Sequence, residues 1–316
     1  MKSYPEISRA FYFEPLALEE GAMLNIHMYL WPRITGKIHD PVFESEAAQK
    51  DQAAPSSNRM PGGMAHMRRQ MAMPEMQSNG PFSAPTILDS RYYWSADGRA
   101  DVAVIPMYGV LAKGAGSFSE MCMGAVNPDR VAHALAQALA AKEVKTIVLD
   151  VGSPGGRVSF IPELAAQIKA AAQTRGKTLY AFSDQTIASA ATWLASQCNE
   201  CIITPSASVG SIGTYLAFLN PKVAMQMQGY SLELFSKGTH KALGLPGRDL
   251  TQADREYLQS TVDKVNAQFV GAVKASRPKA SEEALRDAKM YDGPDAVKQG
   301  LADGIAASWD EFLSLI

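Results

Sequence analysis

The sequence is short of the residues that most readily announce a function. Its 316 residues include three cysteines (Cys122, Cys198 and Cys201) and five histidines. So sparse and odd a set of cysteines cannot build a disulfide framework, and a reducing compartment is expected. The net charge is only −2, so no basic field draws the chain to nucleic acid or to an anionic membrane. Long apolar runs are missing too. The most apolar N-terminal stretch, 22–31, contains Asn25 and His27 and is too short to cross a bilayer. The opening residues are interrupted by Arg9, Glu14, Glu19 and Glu20 and do not read as a secretory signal. These absences predict a cytoplasmic protein with no membrane anchor and no nucleic-acid partner. What is present, 47% hydrophobic and 20% charged residues, is the composition of a globular protein with a core.

Composition divides the chain into three regions. Residues 1–36 mix aromatic and apolar groups with charge and are expected to form an N-terminal arm. Residues 37–90 are rich in Met, Pro, Gly, Ser and Gln. Such a stretch buries too little apolar area to offset its chain entropy, so a flexible linker is expected. Within it Met60, Met64, Met67, Met71, Met73 and Met76 surround His66. Thioethers suit Cu(I) or an adhesive contact, but a plain linker accounts for the composition and no metal is assigned.

Residues 91–316 carry a β-α alternation. Strands are predicted at 102–107, 146–151, 178–182 and 201–204. A first helix is expected after Asn127-Pro128, a cap followed by proline at the first helical position. Thr251 and Asp254 predict a capping box at the head of a long helix with the stripe Leu258, Val262, Val265, Phe269 and Val273. Strands alternating with helices imply an α/β fold of stacked βαβ units, a mostly parallel sheet covered by helices, with the arm appended.

Four short pieces in this domain supply parts for acyl transfer from a serine. Ser189 precedes an apolar helical run and is flanked by Ala188 and Ala190, which leave room for a substrate carbonyl. An ordinary serine there would be a cap. The Ala190 N–H, however, is a first-turn donor aligned with the helix dipole, suited to an oxyanion. Gly155 and Gly156, in Ser153-Pro154-Gly155-Gly156 after an apolar strand, allow close backbone approach and a second donor. Gly210-Ser211-Ile212-Gly213 brings a further hydroxyl. The base follows by elimination. His27, His39 and His66 lie in the arm and linker, and His133 lies in the first helix. Only His240 follows Ser189, with no acid obvious near it in sequence. Lys237 and Lys241 are the remaining candidates, and a lysine serves as a base when burial favours its neutral form. Phe235, Leu243 and Leu245 are expected to provide that burial. Cys198-x-x-Cys201 lacks a second pair or a nearby histidine and is read as structural.

These pieces together carry a resemblance. Val151-Gly152-Ser153-Pro154-Gly155-Gly156, Ala188-Ser189-Ala190-Ala191, Cys198-Asn199-Glu200-Cys201-Ile202, Gly210-Ser211-Ile212-Gly213 and Ser236-Lys237-Gly238-Thr239-His240-Lys241 resemble peptidase family S49, the signal peptide peptidase A type. Tyr291-Asp292-Gly293 and Gly300-Leu301-Ala302-Asp303 match as well. The opening Tyr4-Pro5-Glu6-Ile7-Ser8-Arg9-Ala10 is similar to the lead-in of the phage and prophage branch, which includes capsid-maturation proteases. The resemblance implies a ClpP/crotonase-like fold and a serine endopeptidase with no cofactor. It implies Ser189 as nucleophile, Lys241 rather than Lys237 as general base, and Ser211 positioning the lysine. The oxyanion donors fall on the backbones of Gly156 and Ala190, with Gly155 binding substrate. It further implies an extended peptide substrate added as a strand. A homo-oligomeric ring or dome follows, in which the lysine can cross an interface, acting on capsid or scaffold proteins in the cytoplasm or a procapsid. Two departures stand out. Ser189-Ala190-Ala191 replaces the Ser-Gly-Gly of many cellular members, and the usual membrane anchor is not found. A cellular signal-peptide or quality-control peptidase and a catalytically silent assembly component are the alternatives. An acyl-CoA enzyme of the crotonase type ranks last, since its chemistry calls for neither the serine nor the lysine.

Overall fold

The computed structural model describes residues 16–18, 94–96, 99–115 and 124–316. The rest of the 1–36 arm, the 37–90 linker with its methionines, and Cys122 lie outside the described residues. The first elements are β1 (Leu16–Leu18), β2 (Trp94–Ala96), β3 (Arg99–Tyr108), β4 (Val110–Leu111) and β5 (Ala125–Val126). Helix α1 (Pro128–Ala140) begins as expected, with the Asn127 side chain accepting from the Asp129 N–H and proline in its first turn. The alternation continues through β6 (Thr146–Gly152), β7 (Gly155–Arg157), α2 (Ile161–Ala172), β8 (Thr178–Ser183), β9 (Thr186–Ala188), α3 (Ala190–Ala195), β10 (Glu200–Ile203) and β11 (Ser208–Gly210). Then come α4 (Lys222–Met227), α5 (Gln252–Ser276), α6 (Glu282–Arg286), β12 (Met290–Asp292), α7 (Gly293–Lys298), β13 (Gly304–Ile305) and α8 (Trp309–Leu315).

The main sheet has the order β13-β10-β8-β6-β3-β2. Every pairing in it is parallel except β2 with β3. Helices cover both faces, so the α/β class and the mostly parallel sheet are as expected. Alternation along β6 explains the two cores. Ile147, Leu149 and Val151 face the larger one, with residues of α1, α2, α3 and α5. Val148 faces the smaller one, where Phe182 stacks on Phe312 of α8 at 4.7 Å between ring centres.

Two small sheets flank this frame and carry the glycine-rich turns. One has the order β1-β7-β4-β5 and the other β12-β11-β9. Strands β4, β5, β9 and β11 are only two or three residues long, too short to show a period in sequence, and went unforeseen for that reason.

Helix α5 forms the capping box that Thr251 and Asp254 predict. Its stripe is only partly used. Phe269 and Val273 are fully buried, whereas Leu258, Val262 and Val265 are half-buried. Leu258 and Val262 line an open cavity of about 430 Å³ with Leu216, Phe218 and Leu250. No helix among the described residues is long and apolar enough to cross a membrane.

Candidate active site

The strand β9 delivers Ser189 to the head of α3 through a sharp turn. Ser189 has φ 56° and ψ −120°, a conformation that a side chain disfavours by about 1–3 kcal/mol. The surroundings hold it there. Its N–H donates to the Gly210 carbonyl at 2.9 Å, and its carbonyl accepts from the Trp193 N–H at 3.0 Å. The Thr192 hydroxyl lies 2.8 Å from the carbonyls of both Ile187 and Gly210, tying the first turn of α3 to β9 and β11. Ser189 therefore does not cap its helix: its side chain bonds no first-turn N–H. The hydroxyl is fully buried and has no hydrogen-bond partner among the described residues.

Behind this turn, α3 is anchored on α5. The Trp193 ring stacks on Phe269 at 4.8 Å with a 4° interplanar angle. Gln197 just beyond α3 accepts from the Ser276 hydroxyl at 2.8 Å. Neither Thr192 nor the Trp193–Phe269 stack was foreseen. Only the apolar stripe of α5 hinted at the second.

The Pro154-Gly155-Gly156 piece lies alongside. Ser153 forms a parallel bridge with Ile187 of β9, with the Ser153 N–H donating to Thr186 and the Ala188 N–H donating to Ser153. The Ser153 hydroxyl donates to the Gly109 carbonyl at 2.6 Å and accepts from the Gly155 N–H at 3.2 Å. Gly155 has φ +92°, which favours glycine. At Gly156 a Cβ would lie 2.0 Å from the Leu111 carbonyl oxygen, so no side chain fits between β7 and β4. β7 and α3 pack against each other. The glycine turn, Ser189 and the Ala190 N–H thus meet at one end of the domain.

Ser211 follows directly from Gly210, whose carbonyl pins Ser189. Ser211 is buried, has φ 55°, and donates its N–H to Lys289 at 2.8 Å. The lysines differ. Lys241 and Lys237 are both exposed. Leu243 and Leu245 are half-buried, and Phe235 is 92% exposed. The expected burial of a lysine by these three residues is therefore not achieved within one chain.

His240 does have an acid partner, contrary to the expectation from sequence. Its Nδ1 lies 2.9 Å from Asp254 Oδ1, and its ring stacks on Tyr257 at 4.8 Å. Asp254 has no exposed surface and also pairs with Arg248 at 2.8 Å. The hydrogen bond from His240, followed by those from the Thr251 N–H and hydroxyl, holds its carboxyl well below the usual range. The capping aspartate is 14 residues from His240, and only the fold of the intervening loop reveals the contact.

Cys198 and Cys201 are free and buried, and burial pushes both thiols up, Cys201 to about 12. Such thiols are unreactive. Their segment is a structural joint: Arg277 donates to the Cys198 carbonyl and pairs with Asp303, and Asp303 accepts from the Cys201 N–H at 2.8 Å. No group of three or more potential metal ligands occurs among the described residues.

The chain is 31% identical to the capsid assembly protease C of Escherichia phage lambda over 211 residues, covering 66% of this chain and 47% of that protein. It is 27% identical to the head-tail preconnector protein GP5 of Enterobacteria phage P21 over 251 residues, covering 76% of this chain and 49% of that protein. The chain thus spans about half the length of these curated relatives. A solved structure of a membrane-bound stomatin-specific protease aligns with 67% of this chain and 83% of that chain, at 15% identity and a TM-score of 0.37. Residues 171–314, which include Ser189, Ser211 and Lys241, match the profile of peptidase family S49.

Proposed function

We propose that the chain is a serine endopeptidase in which Ser189 is the nucleophile and Lys241 the general base, acting on extended protein segments. The observation that carries this reading is the Ser189 turn. A strained, buried serine with an unpartnered hydroxyl stands at a helix head beside a glycine strand. An orphaned buried hydroxyl costs about 1–3 kcal/mol, which a merely structural serine would avoid by capping. In the reaction the neutral amine of Lys241 takes the Ser189 proton as Oγ attacks the scissile carbonyl. The oxyanion is met by the N–H groups of Gly156 and Ala190, with Gly155 leaving room for the substrate backbone. The proton passes to the departing amine, and water then releases the acyl group from Ser189. Ser211 positions the lysine.

Lys241 needs a drier setting than one chain gives it. In the segment that precedes it in sequence, Val223, Met227, Tyr230, Leu234 and Phe235 are exposed, Met227 at 83% and Phe235 at 92%. So many large apolar side chains exposed within one stretch of chain are expected to be covered. We read this stretch as the contact between copies in a ring or dome, which would desolvate Lys241 and could supply it to a neighbour's Ser189. The phage relatives favour capsid or scaffold proteins as substrates, in the cytoplasm or a procapsid.

The His240–Asp254 pair favours a second reading, in which His240 serves Ser189 as base and Asp254 orients it. Both readings are tested by casein cleavage with wild type, Ser189→Ala, Lys241→Ala, Lys237→Ala and His240→Asn. Loss in Ser189→Ala and Lys241→Ala alone is the expected result. Loss in His240→Asn with activity kept in Lys241→Ala would install the histidine instead. Equal cutting by all five would refute both.

A further inference from the structure

The third residue group at the site belongs to the chain itself. β1 pairs antiparallel with β7 in the register Leu16 with Arg157, Ala17 with Gly156 and Leu18 with Gly155. β7 has only two edges. One is taken by β4, where Leu111 pairs with Gly156. The other is the edge on which a peptide would add as a strand beside the oxyanion glycines, and β1 fills it. Strand addition satisfies backbone groups without demanding a particular sequence, so a tethered segment and a free substrate compete for the same donors and acceptors. The second observation agrees: with the peptide edge filled in this way, the hydroxyl of Ser189 has no accessible surface and no partner among the described residues.

We propose that residues 16–18 occupy the peptide-binding edge of β7 as a tethered competitor of substrate, and that the ligand this edge takes is an extended strand running antiparallel to β7. The inference rests on reading that edge as the substrate edge of the protease, but its test does not require catalysis. A segment tethered within its own chain competes as an intramolecular ligand, at an effective concentration set by its tether. A free peptide must displace it, and its apparent affinity falls by the fraction of molecules whose edge is open.

The test uses the full chain carrying Ser189→Ala and a fluorescein-labelled peptide with the sequence of residues 13–22. Binding is followed by fluorescence polarisation in that protein and in the same protein carrying Ala17→Pro and Leu18→Pro. In an antiparallel pair adjacent positions alternate between ladder-bonded and non-bonded, so the two prolines remove the ladder N–H whichever position holds it. Peptide binding is expected to tighten at least tenfold in the proline variant. A labelled peptide bearing the same two prolines is expected not to bind. Should the variant fold poorly, hydrogen exchange on the Ser189→Ala protein with its natural arm decides: saturating peptide should speed exchange at residues 16–18. Equal affinity for both proteins, binding of the proline peptide, or unchanged exchange at 16–18 would each overturn the proposal. Equal affinities with casein cleavage lost in Ser189→Ala would remove the tethered competitor and leave the protease reading intact. Tighter binding in the variant with cleavage retained in Ser189→Ala would do the reverse.

Discussion

The pairing of half-buried Tyr108 with buried Asp150 makes stability depend on pH. Asp150 lies in β6 on the face of the smaller core and is 2% exposed. The Tyr108 hydroxyl donates to its Oδ2. Burial raises the carboxyl from 3.8 to about 7, against the hydrogen bond from Tyr108, and the charge of Asp184 adds to the rise. Burial, followed by the charge of Asp150, pushes the Tyr108 phenol up as well. A raised carboxyl means that the folded state holds a proton that the unfolded state has released. Between pH 4 and 7 the unfolded chain therefore binds fewer protons, and stability falls as pH rises. At about 1.4 kcal/mol per pH unit, the span from 3.8 to about 7 corresponds to about 4 kcal/mol. The part falling between pH 5 and 8 is about 2–3 kcal/mol. Asp150→Asn keeps an oxygen to accept from Tyr108 but cannot ionise. Urea unfolding of wild type and Asp150→Asn at pH 5 and pH 8 should show the variant gaining about 2–3 kcal/mol on wild type at the higher pH. A stability difference that does not change with pH would refute the reasoning.

Other outcomes follow from the site. Gly156→Ala would force a Cβ to within 2.0 Å of the Leu111 carbonyl oxygen; it should cost about 1–3 kcal/mol and remove casein cleavage, measured by thermal unfolding and gel assay. Phe269→Ala removes the partner stacked on Trp193. A loss of about 3–5 kcal/mol is expected, along with a lower kcat as α3 loosens. His240→Ala breaks the bond to Asp254 and the stack on Tyr257. If Lys241 is the base, kcat should fall more than KM rises, because the loop carrying Lys241 is no longer tied to α5, and His240→Asn should restore most of the loss by donating to Asp254 again.

Much of the frame was legible because it obeys a period or a cap. The runs at 146–151 and 178–182 could only be buried strands once they alternated with helices. Asn127-Pro128 and Thr251 with Asp254 marked two helix starts by the hydrogen bonds they go on to make. Ser189 stood out through its small neighbours and its place before an apolar run. The short strands β9 and β11 were not legible, since three residues carry no period. Nor was the role of Gly210, whose carbonyl anchors Ser189 from 21 positions away. The expectation for the lysine failed for a related reason. Apolar neighbours in sequence bury a side chain only if the fold turns them toward it, and Phe235 points into solvent.

By itself, then, the sequence determined the α/β class, the helix starts and the chemical kinds of group available, because propensity, capping and periodicity act over a few residues. Tertiary structure alone decided which groups meet. It strained Ser189 and left its hydroxyl without a partner, joined His240 to Asp254, left Lys241 exposed, and laid residues 16–18 along β7. Each of these contacts closes a loop in the chain, and whether such a loop closes depends on packing elsewhere in the fold rather than on the residues at its ends.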